Sequence, residues 1–184
     1  MRIAVTGTHG SGKTTLVEDF TGAHQHYVQE AEPYWALVQQ GTPFADAPTV
    51  ADLETQLEAS CSMFLASDQP DVVFDRCPLD FIAYLDVVSA AEGFEWSPHA
   101  KLLPRIERAI RSLDLLVFLP LSRPDEIEVT IEYPKLRARV DQLLKSILRD
   151  DELGLFGDKP RLIEIRGTRA ERLERLSAAA GLDR

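Results

Sequence analysis

Near its amino terminus the chain reads Gly7-Thr8-His9-Gly10-Ser11-Gly12-Lys13-Thr14-Thr15. Gly7, Gly12, Lys13 and Thr14 fill every fixed position of the pattern G-x-x-x-x-G-K-[ST]. Residues of these types at this spacing can capture a polyphosphate. Glycines let the backbone curl so that successive N–H groups converge on anionic oxygens. A helix opening directly behind the loop adds a favourable dipole. Lys13 offers a compact charge to the outer phosphates, and the Thr14 hydroxyl can ligate Mg²⁺. Gly7, His9, Gly10, Ser11, Gly12, Lys13, Thr14 and Thr15 are therefore expected to bind nucleotide. His9 occupies a variable position and reads as loop filler rather than as a catalyst.

A second group of residues could complete phosphoryl-transfer chemistry. The run Val72-Val73-Phe74-Asp75-Arg76 is apolar and ends in a carboxylate, as a Walker B strand does. Asp75 is expected to hold Mg²⁺ through water, together with Thr14. Arg76 is one of only three bases in the first hundred residues, the others being Arg2 and Lys13. Asp80 and Tyr84 follow at helical spacing, and Asp80 is expected to touch an acceptor or, alternatively, to serve as a first-turn helix acid. Glu30 and Glu32 follow the second predicted strand. A general base near a hydroxyl acceptor must be a carboxylate of this kind, which leaves Glu30, Glu32 and Asp75 open for the role. Trp35, with Tyr34 and Phe44, could wall a planar acceptor, and Gln56 could read the edge of a base. Arg123, Lys135, Arg137 and Arg139 could neutralise the transferred phosphoryl group. For Arg137 the competing reading is an i,i+4 pair with Asp141. Arg105, Arg108, Arg111, Arg172 and Arg175 read as solvated helix faces.

These residues need a scaffold that gathers them. Ile3-Ala4-Val5, Tyr27-Val28, Val72–Phe74, Leu115–Leu119 and Leu162–Ile165 are short apolar runs that predict five strands, covered on both faces. Between them lie helical stripes: Leu16, Val17 and Phe20; Val50, Leu53, Leu57, Cys61 and Phe64; Phe81, Ile82, Leu85 and Val88; Leu136, Val140, Leu143 and Ile147. Thr49 with Asp52 and Thr168 with Glu171 mark helix starts, and Gly181 can end the last helix. Ser97-Pro98 reads as a start for the helix carrying Leu102, Ile106 and Ile110, which Pro104 should kink or restart. Strands alternating with helices predict an α/β fold: three layers, about five parallel strands, helices on both faces. One domain over residues 1–184 is expected, with residues 120–139, which hold Pro120, Pro124 and Pro134, as a lid segment.

Charge narrows the classes of partner. The 184 residues carry a net charge of −10, with 45% hydrophobic and 27% charged residues, a soluble globular balance. The first hundred residues hold 15 acids and three bases; the rest hold 15 acids and 17 bases. A strongly acidic first part is a poor platform for duplex nucleic acid, which needs a contiguous basic face. Cys61 and Cys77 lack metal-ligand or disulfide spacing and read as buried thiols. No apolar run reaches the ~18 residues of a membrane span, and the amino terminus lacks a signal-peptide pattern. A cytoplasmic protein is expected. Its assembly is open, a homodimer being one compatible state.

The loop resembles that of the P-loop nucleoside triphosphate superfamily, and the other residues place the resemblance in its small-molecule kinase branch. Asp75-Arg76 is similar to the Asp-Arg pair of thymidylate kinase, which lies near the phosphate acceptor. Asp75-Arg76-Cys77-Pro78-Leu79-Asp80-Phe81-Ile82-Ala83-Tyr84 resembles a segment of small bacterial AAA-type ATPase and kinase domains that include the nicotinamide riboside kinase-like group. Glu32-Pro33-Tyr34-Trp35 is similar to the Glu-Pro of deoxynucleoside kinases, where the Glu is the base. The nicotinamide riboside kinase-like pattern instead selects Glu30, though it often has Arg where this chain has Glu32. The resemblance implies ATP and Mg²⁺ as cofactors, a nucleoside- or nucleotide-like acceptor, Arg123 among the acceptor contacts, and packing of Gly167-Thr168 against adenine. Two alternatives stand beside it: a regulatory P-loop ATPase without a small-molecule acceptor, and a polynucleotide 5′-kinase. An Asn-Lys-x-Asp guanine motif and a Leu-Ser-Gly-Gly signature are both missing from the sequence. The chain is also short for an AAA+ module with its helical lid domain.

Overall fold

The computed structural model describes residues 1–122, 125–126, 132–151 and 154–182. Five strands, β1 (Arg2–Thr6), β2 (Val28–Glu30), β3 (Val72–Asp75), β4 (Leu115–Phe118) and β5 (Arg161–Glu164), form one sheet in the order β2-β3-β1-β4-β5. Every pairing is parallel, with Ala4 opposite Phe74 on one side and Leu116 on the other. The P-loop strand is thus central, where both neighbours fix its register.

Alternation along the strands makes two cores. Ile3, Val5, Val73, Leu115 and Val117 face α1 (Lys13–Ala23) and α7 (Arg169–Ala179), packing with Leu16, Phe20 and Leu176. Ala4, Val72, Phe74, Leu116 and Phe118 face the other way. They meet α3 (Val50–Ala66), α4 (Pro78–Ala91), α5 (Leu103–Arg111) and α6 (Pro134–Asp150). Phe64 of α3 stacks on Phe74 with ring centroids 3.9 Å apart. Helices therefore cover both faces, as the alternating pattern predicts.

The differences from the sequence reading have local causes. Only the three inner strands are buried along their length; β2 and β5 are edges, and Leu162 is 39% exposed. The helix carrying Ile106 starts at Leu103 rather than at Ser97, with Pro104 in its first turn. There its missing N–H costs nothing, since first-turn donors have no intrahelical acceptor. A short helix, α2 (Pro33–Gln39), follows β2 and has no clear apolar period. The caps agree with expectation: Thr49 accepts from the Asp52 N–H, and Thr168 with Glu171 forms a capping box.

Candidate active site

The loop after β1 has little freedom. A Cβ on Gly7 would lie 2.6 Å from the Leu119 carbonyl oxygen, so only glycine fits beneath the neighbouring strand. Gly12 caps α1 with φ +92°, the left-handed region that favours glycine. Lys13 is buried and donates to the Thr8 carbonyl at 2.9 Å, folding its amine back into the loop. Burial lowers its pKa to about 8, with Arg76 adding to the effect. The loop thus holds a cation that lacks a full counter-charge, as a phosphate site should.

Asp80 holds the loop from below. It is fully buried, and its carboxylate accepts from the Thr6 hydroxyl (2.8 Å), the Gly7 N–H (3.0 Å) and the Cys77 N–H (2.9 Å). A buried donor left without an acceptor costs about 1–3 kcal/mol, so this one carboxylate ties the start of the P-loop to the start of α4. Of the two readings of Asp80, the capping box shows the first-turn helix acid, and its oxygens serve the scaffold. Arg137 braces the other side, donating to the His9 and Gly10 carbonyls at 2.9 and 3.0 Å and pairing with Asp125 through both terminal nitrogens. The alternative pair with Asp141 does not form, because Asp141 takes Lys145 and the Leu121 N–H.

Asp75, at the end of β3, is 4% exposed and accepts from the Thr14 hydroxyl at 2.5 Å. Its second oxygen, Oδ1, is buried without a partner. Burial raises its pKa against the pull of Lys13. A carboxylate with one orphaned oxygen, next to a P-loop hydroxyl, fits Mg²⁺, which usually keeps few protein ligands beside phosphates and water.

Beyond the loop lies a cavity of about 360 Å³ whose lining includes His9, Glu32, Arg76 and Tyr84. That is enough for a small ligand. Arg76 has φ +81°, a strained conformation for a side-chain-bearing residue that costs about 1–3 kcal/mol. The strain turns its guanidinium toward Glu32 (2.9 Å), Asp80 (3.6 Å) and the Tyr84 ring (5.8 Å). Nε and one terminal nitrogen are nonetheless buried without an aligned hydrogen-bond acceptor. Burial opposes the ionised form of Glu32, but Arg76 and Lys13 outweigh it and hold the carboxyl below its ordinary pKa.

His9 is no filler. The Tyr84 hydroxyl accepts from the His9 backbone N–H (2.9 Å) and lies 2.6 Å from Nδ1 and 3.2 Å from the Thr8 hydroxyl. The arrangement that satisfies all four groups has Thr8 donating to Tyr84 and Tyr84 donating to Nδ1. That leaves the proton on Nε2, which is buried and unpaired. Burial, with Arg76, Lys13 and Arg137 nearby, lowers the His9 pKa to about 4, so the ring is neutral at pH 7. Its side chain lines the cavity, whereas its backbone belongs to the P-loop.

A family model described as an AAA domain matches residues 2–172. The chain belongs to this AAA domain family. Among solved structures, the AAA domain is similar to deoxyadenosine kinase from M. mycoides with bound dATP, at TM-score 0.62 and 13% identity over 98% of this chain and 99% of that one. Thymidylate kinase from Candida albicans gives 0.63 and 16%, covering 98% and 90%. A NadR protein in complex with NAD and AMP-PNP gives 0.66 and 18%, covering all of this chain and 50% of that one. No curated protein matches. Identities this low establish a P-loop kinase fold.

In the AAA domain, Glu32 lines the cleft and Glu30 does not. Trp35 is 59% exposed and stands outside the cleft; Tyr34 and Phe44 line it, ring centroids 4.9 Å apart. Gln56 also lines it. Arg139 is exposed on α6, two residues and about 200° round the helix from Arg137. Arg123 lies outside the described residues. Arg172, read from sequence as solvated, is 4% exposed and donates to the Ser11 carbonyl (2.8 Å) and the Gly167 carbonyl (2.9 Å). Its spacing from the capping Thr168 places it in the first turn of α7, but the bond to Ser11 spans 161 residues and has no local signal. Gly167 itself has φ +113°, and a Cβ there would meet the Glu171 carboxylate at 2.5 Å.

Asp75→Asn in this AAA domain separates metal binding from folding. Because burial penalises the Asp75 charge, the neutral side chain should leave the melting temperature of the free protein unchanged or higher. The Mg²⁺ concentration for half-maximal ATP turnover should rise at least tenfold. An unaltered magnesium titration would remove Asp75 from the site.

Proposed function

We propose that the chain is an ATP- and magnesium-dependent small-molecule kinase that transfers the γ-phosphate to a nucleoside- or nucleotide-like acceptor. The observation that carries this reading is the continuity of the P-loop, through His9, with an aromatic-walled cavity whose lining holds the Glu32–Arg76 pair. A phosphate loop alone would serve any NTPase. A ring-sized cavity opening beside it supplies a place for a second substrate.

The roles follow from the positions. Loop N–H groups and Lys13 take the β- and γ-phosphates. Arg137 keeps the loop carbonyls occupied, so that the N–H groups point at the ligand. Thr14 and Asp75 would hold Mg²⁺, which when bound neutralises charge on the phosphate oxygens. Glu32, ionised and in the cleft, is the base of choice among the three candidates, because Asp75 is committed to Thr14 and Glu30 does not reach the cavity. Arg76 orients Glu32. Gly167 and Thr168 would pack against adenine, and Arg172 joins that loop to the P-loop.

The test is ADP release in the presence of a panel of nucleosides, nucleotides and related alcohols. Stimulation of at least tenfold by one acceptor supports the kinase. Slow hydrolysis indifferent to every acceptor supports the regulatory ATPase instead.

A further inference from the structure

Three successive carbonyls of the P-loop are held by two buried arginines that lie far away in the chain. Arg137, in α6, donates through Nε to the His9 carbonyl at 2.9 Å and through a terminal nitrogen to the Gly10 carbonyl at 3.0 Å. Arg172, in α7, donates through a terminal nitrogen to the Ser11 carbonyl at 2.8 Å and through Nε to the Gly167 carbonyl at 2.9 Å. Among the described residues only the Lys159–Pro160 peptide is cis. Each loop peptide is therefore trans, and its N–H points away from its C=O. A grip on the His9 carbonyl turns the Gly10 N–H away from Arg137. A grip on the Ser11 carbonyl turns the Gly12 N–H away from Arg172. The Ser11 N–H, between them, is drawn to the Thr8 carbonyl at 3.3 Å. Gly10 and Gly12 both have positive φ, +67° and +92°, the backbone form from which anion-binding nests are built.

From this juxtaposition we propose that Arg172 is a positioning residue for the nucleotide phosphates. It fixes the Gly12 N–H as Arg137 fixes that of Gly10, and its Nε carries the same constraint to the loop after β5. The proposal rests on the reading of this loop as a nucleotide site and deepens it. Docking of α7 does not need a guanidinium in the P-loop. Arg169 pairs with Asp19 of α1, the Ser177 hydroxyl lies 2.8 Å from His24 Nε2, and Leu176 is fully buried. What Arg172 adds is a planar fork whose donors are fixed relative to each other. An ammonium carries the same charge without the fork. Donors set in place before the anion arrives need no reorganisation when it binds, which is how a preorganised site gains its strength.

The test uses the full chain with glycine-selective ¹⁵N labelling, and inorganic tripolyphosphate with Mg²⁺ as a ligand that has neither base nor sugar. In wild type, saturating tripolyphosphate should move the Gly10 and Gly12 amide signals downfield. In Arg172→Lys the Gly12 shift should shrink while that of Gly10 stays, and Arg137→Lys should reverse the pattern. Calorimetry on Arg172→Lys should find tripolyphosphate bound about tenfold more weakly, less than the loss of a whole donor, and AMP-PNP weakened at least as much. Equal changes at both glycines, with a lowered melting temperature, would mean a merely loosened α7 and overturn the proposal. So would weaker AMP-PNP binding with tripolyphosphate unaffected, which confines Arg172 to the loop after β5. If Arg172→Lys does not fold, Arg172→Gln replaces it, and the wild-type spectrum decides on its own account: a Gly12 signal that ignores bound tripolyphosphate overturns the assignment. Wild type that binds neither ligand overturns the nucleotide reading and the proposal with it.

Discussion

Lys13→Ala should lower kcat by about 10²–10³-fold, the usual loss when one preorganised charge is removed from a developing anion. The fold should survive, because among the described residues the buried ammonium makes one hydrogen bond, to the Thr8 carbonyl, and removing the charge relieves its burial. Its pKa gives the pH dependence and its sign. Burial lowers the ammonium's pKa to about 8 in the folded chain from an ordinary value of 10.5. Below pH 8 both states carry the proton, and the cost of burying the charge is felt in full. Between pH 8 and 10.5 the unfolded chain holds more proton than the folded one, so stability gains as pH rises. Wild type should therefore gain stability relative to Lys13→Ala across that window, by chemical denaturation. Phosphate favours the charged form, so ATP binding at pH 8.5 should take up a fraction of a proton, seen as a buffer-dependent calorimetric enthalpy. Equal enthalpies in buffers of different ionisation heat would dismiss Lys13 as the phosphate ligand.

Glu32→Gln should cost about 10²–10⁴-fold in kcat, the range for loss of a positioned base. Glu30→Gln, on the same segment, should stay within threefold of wild type, because Glu30 lies outside the cavity lining. The two variants together decide between carboxylates two residues apart. The wild-type pH profile adds a signature. Arg76 and Lys13, outweighing burial, hold Glu32 below its ordinary 4.5, so kcat/KM should stay level down to that pH wherever the protein remains folded. A large loss in Glu30→Gln with a mild one in Glu32→Gln would reverse the assignment.

The parts of the site that follow local rules were legible in the residues. The P-loop is read from contiguous positions, its strand from an apolar run, and the caps at Thr49 and Thr168 from spacing of three. Asp75 was legible because a carboxylate ending an apolar run has few other uses. Legibility failed where the deciding contact is long-range. Asp80 is the first-turn acid that the sequence offers, capping α4 through the Cys77 N–H, but its bonds to Thr6 and Gly7 span more than seventy residues and have no local signal. Arg172 shows the same failure, its charge turned inward to a P-loop carbonyl. Glu30 and Glu32 could not be separated by pattern, since a three-residue edge strand and a short helix decide which one faces the cavity. The scarcity of bases in the first hundred residues proved informative in an unexpected way. Arg2 is structural, donating to the Phe64, Ser67 and Ser112 carbonyls, which leaves Lys13 and Arg76 for the site.

The strand order β2-β3-β1-β4-β5 has a consequence for how such a chain can diversify. The proposed acceptor pocket is lined mainly by segments following β2 and β3 and by α3, on one side of the central strand, with Glu132, Tyr133 and Leu136 added from the segment after β4. The loop expected against the nucleotide base follows β5, on the other side. Substitutions that retune one specificity therefore fall mostly on chain segments that do not touch the other. Arg137 and Arg172 belong to neither set, their side chains reaching the P-loop backbone from the later half. A lineage can exchange acceptors by redrawing one flank of the sheet, as long as these two arginines continue to grip the shared loop.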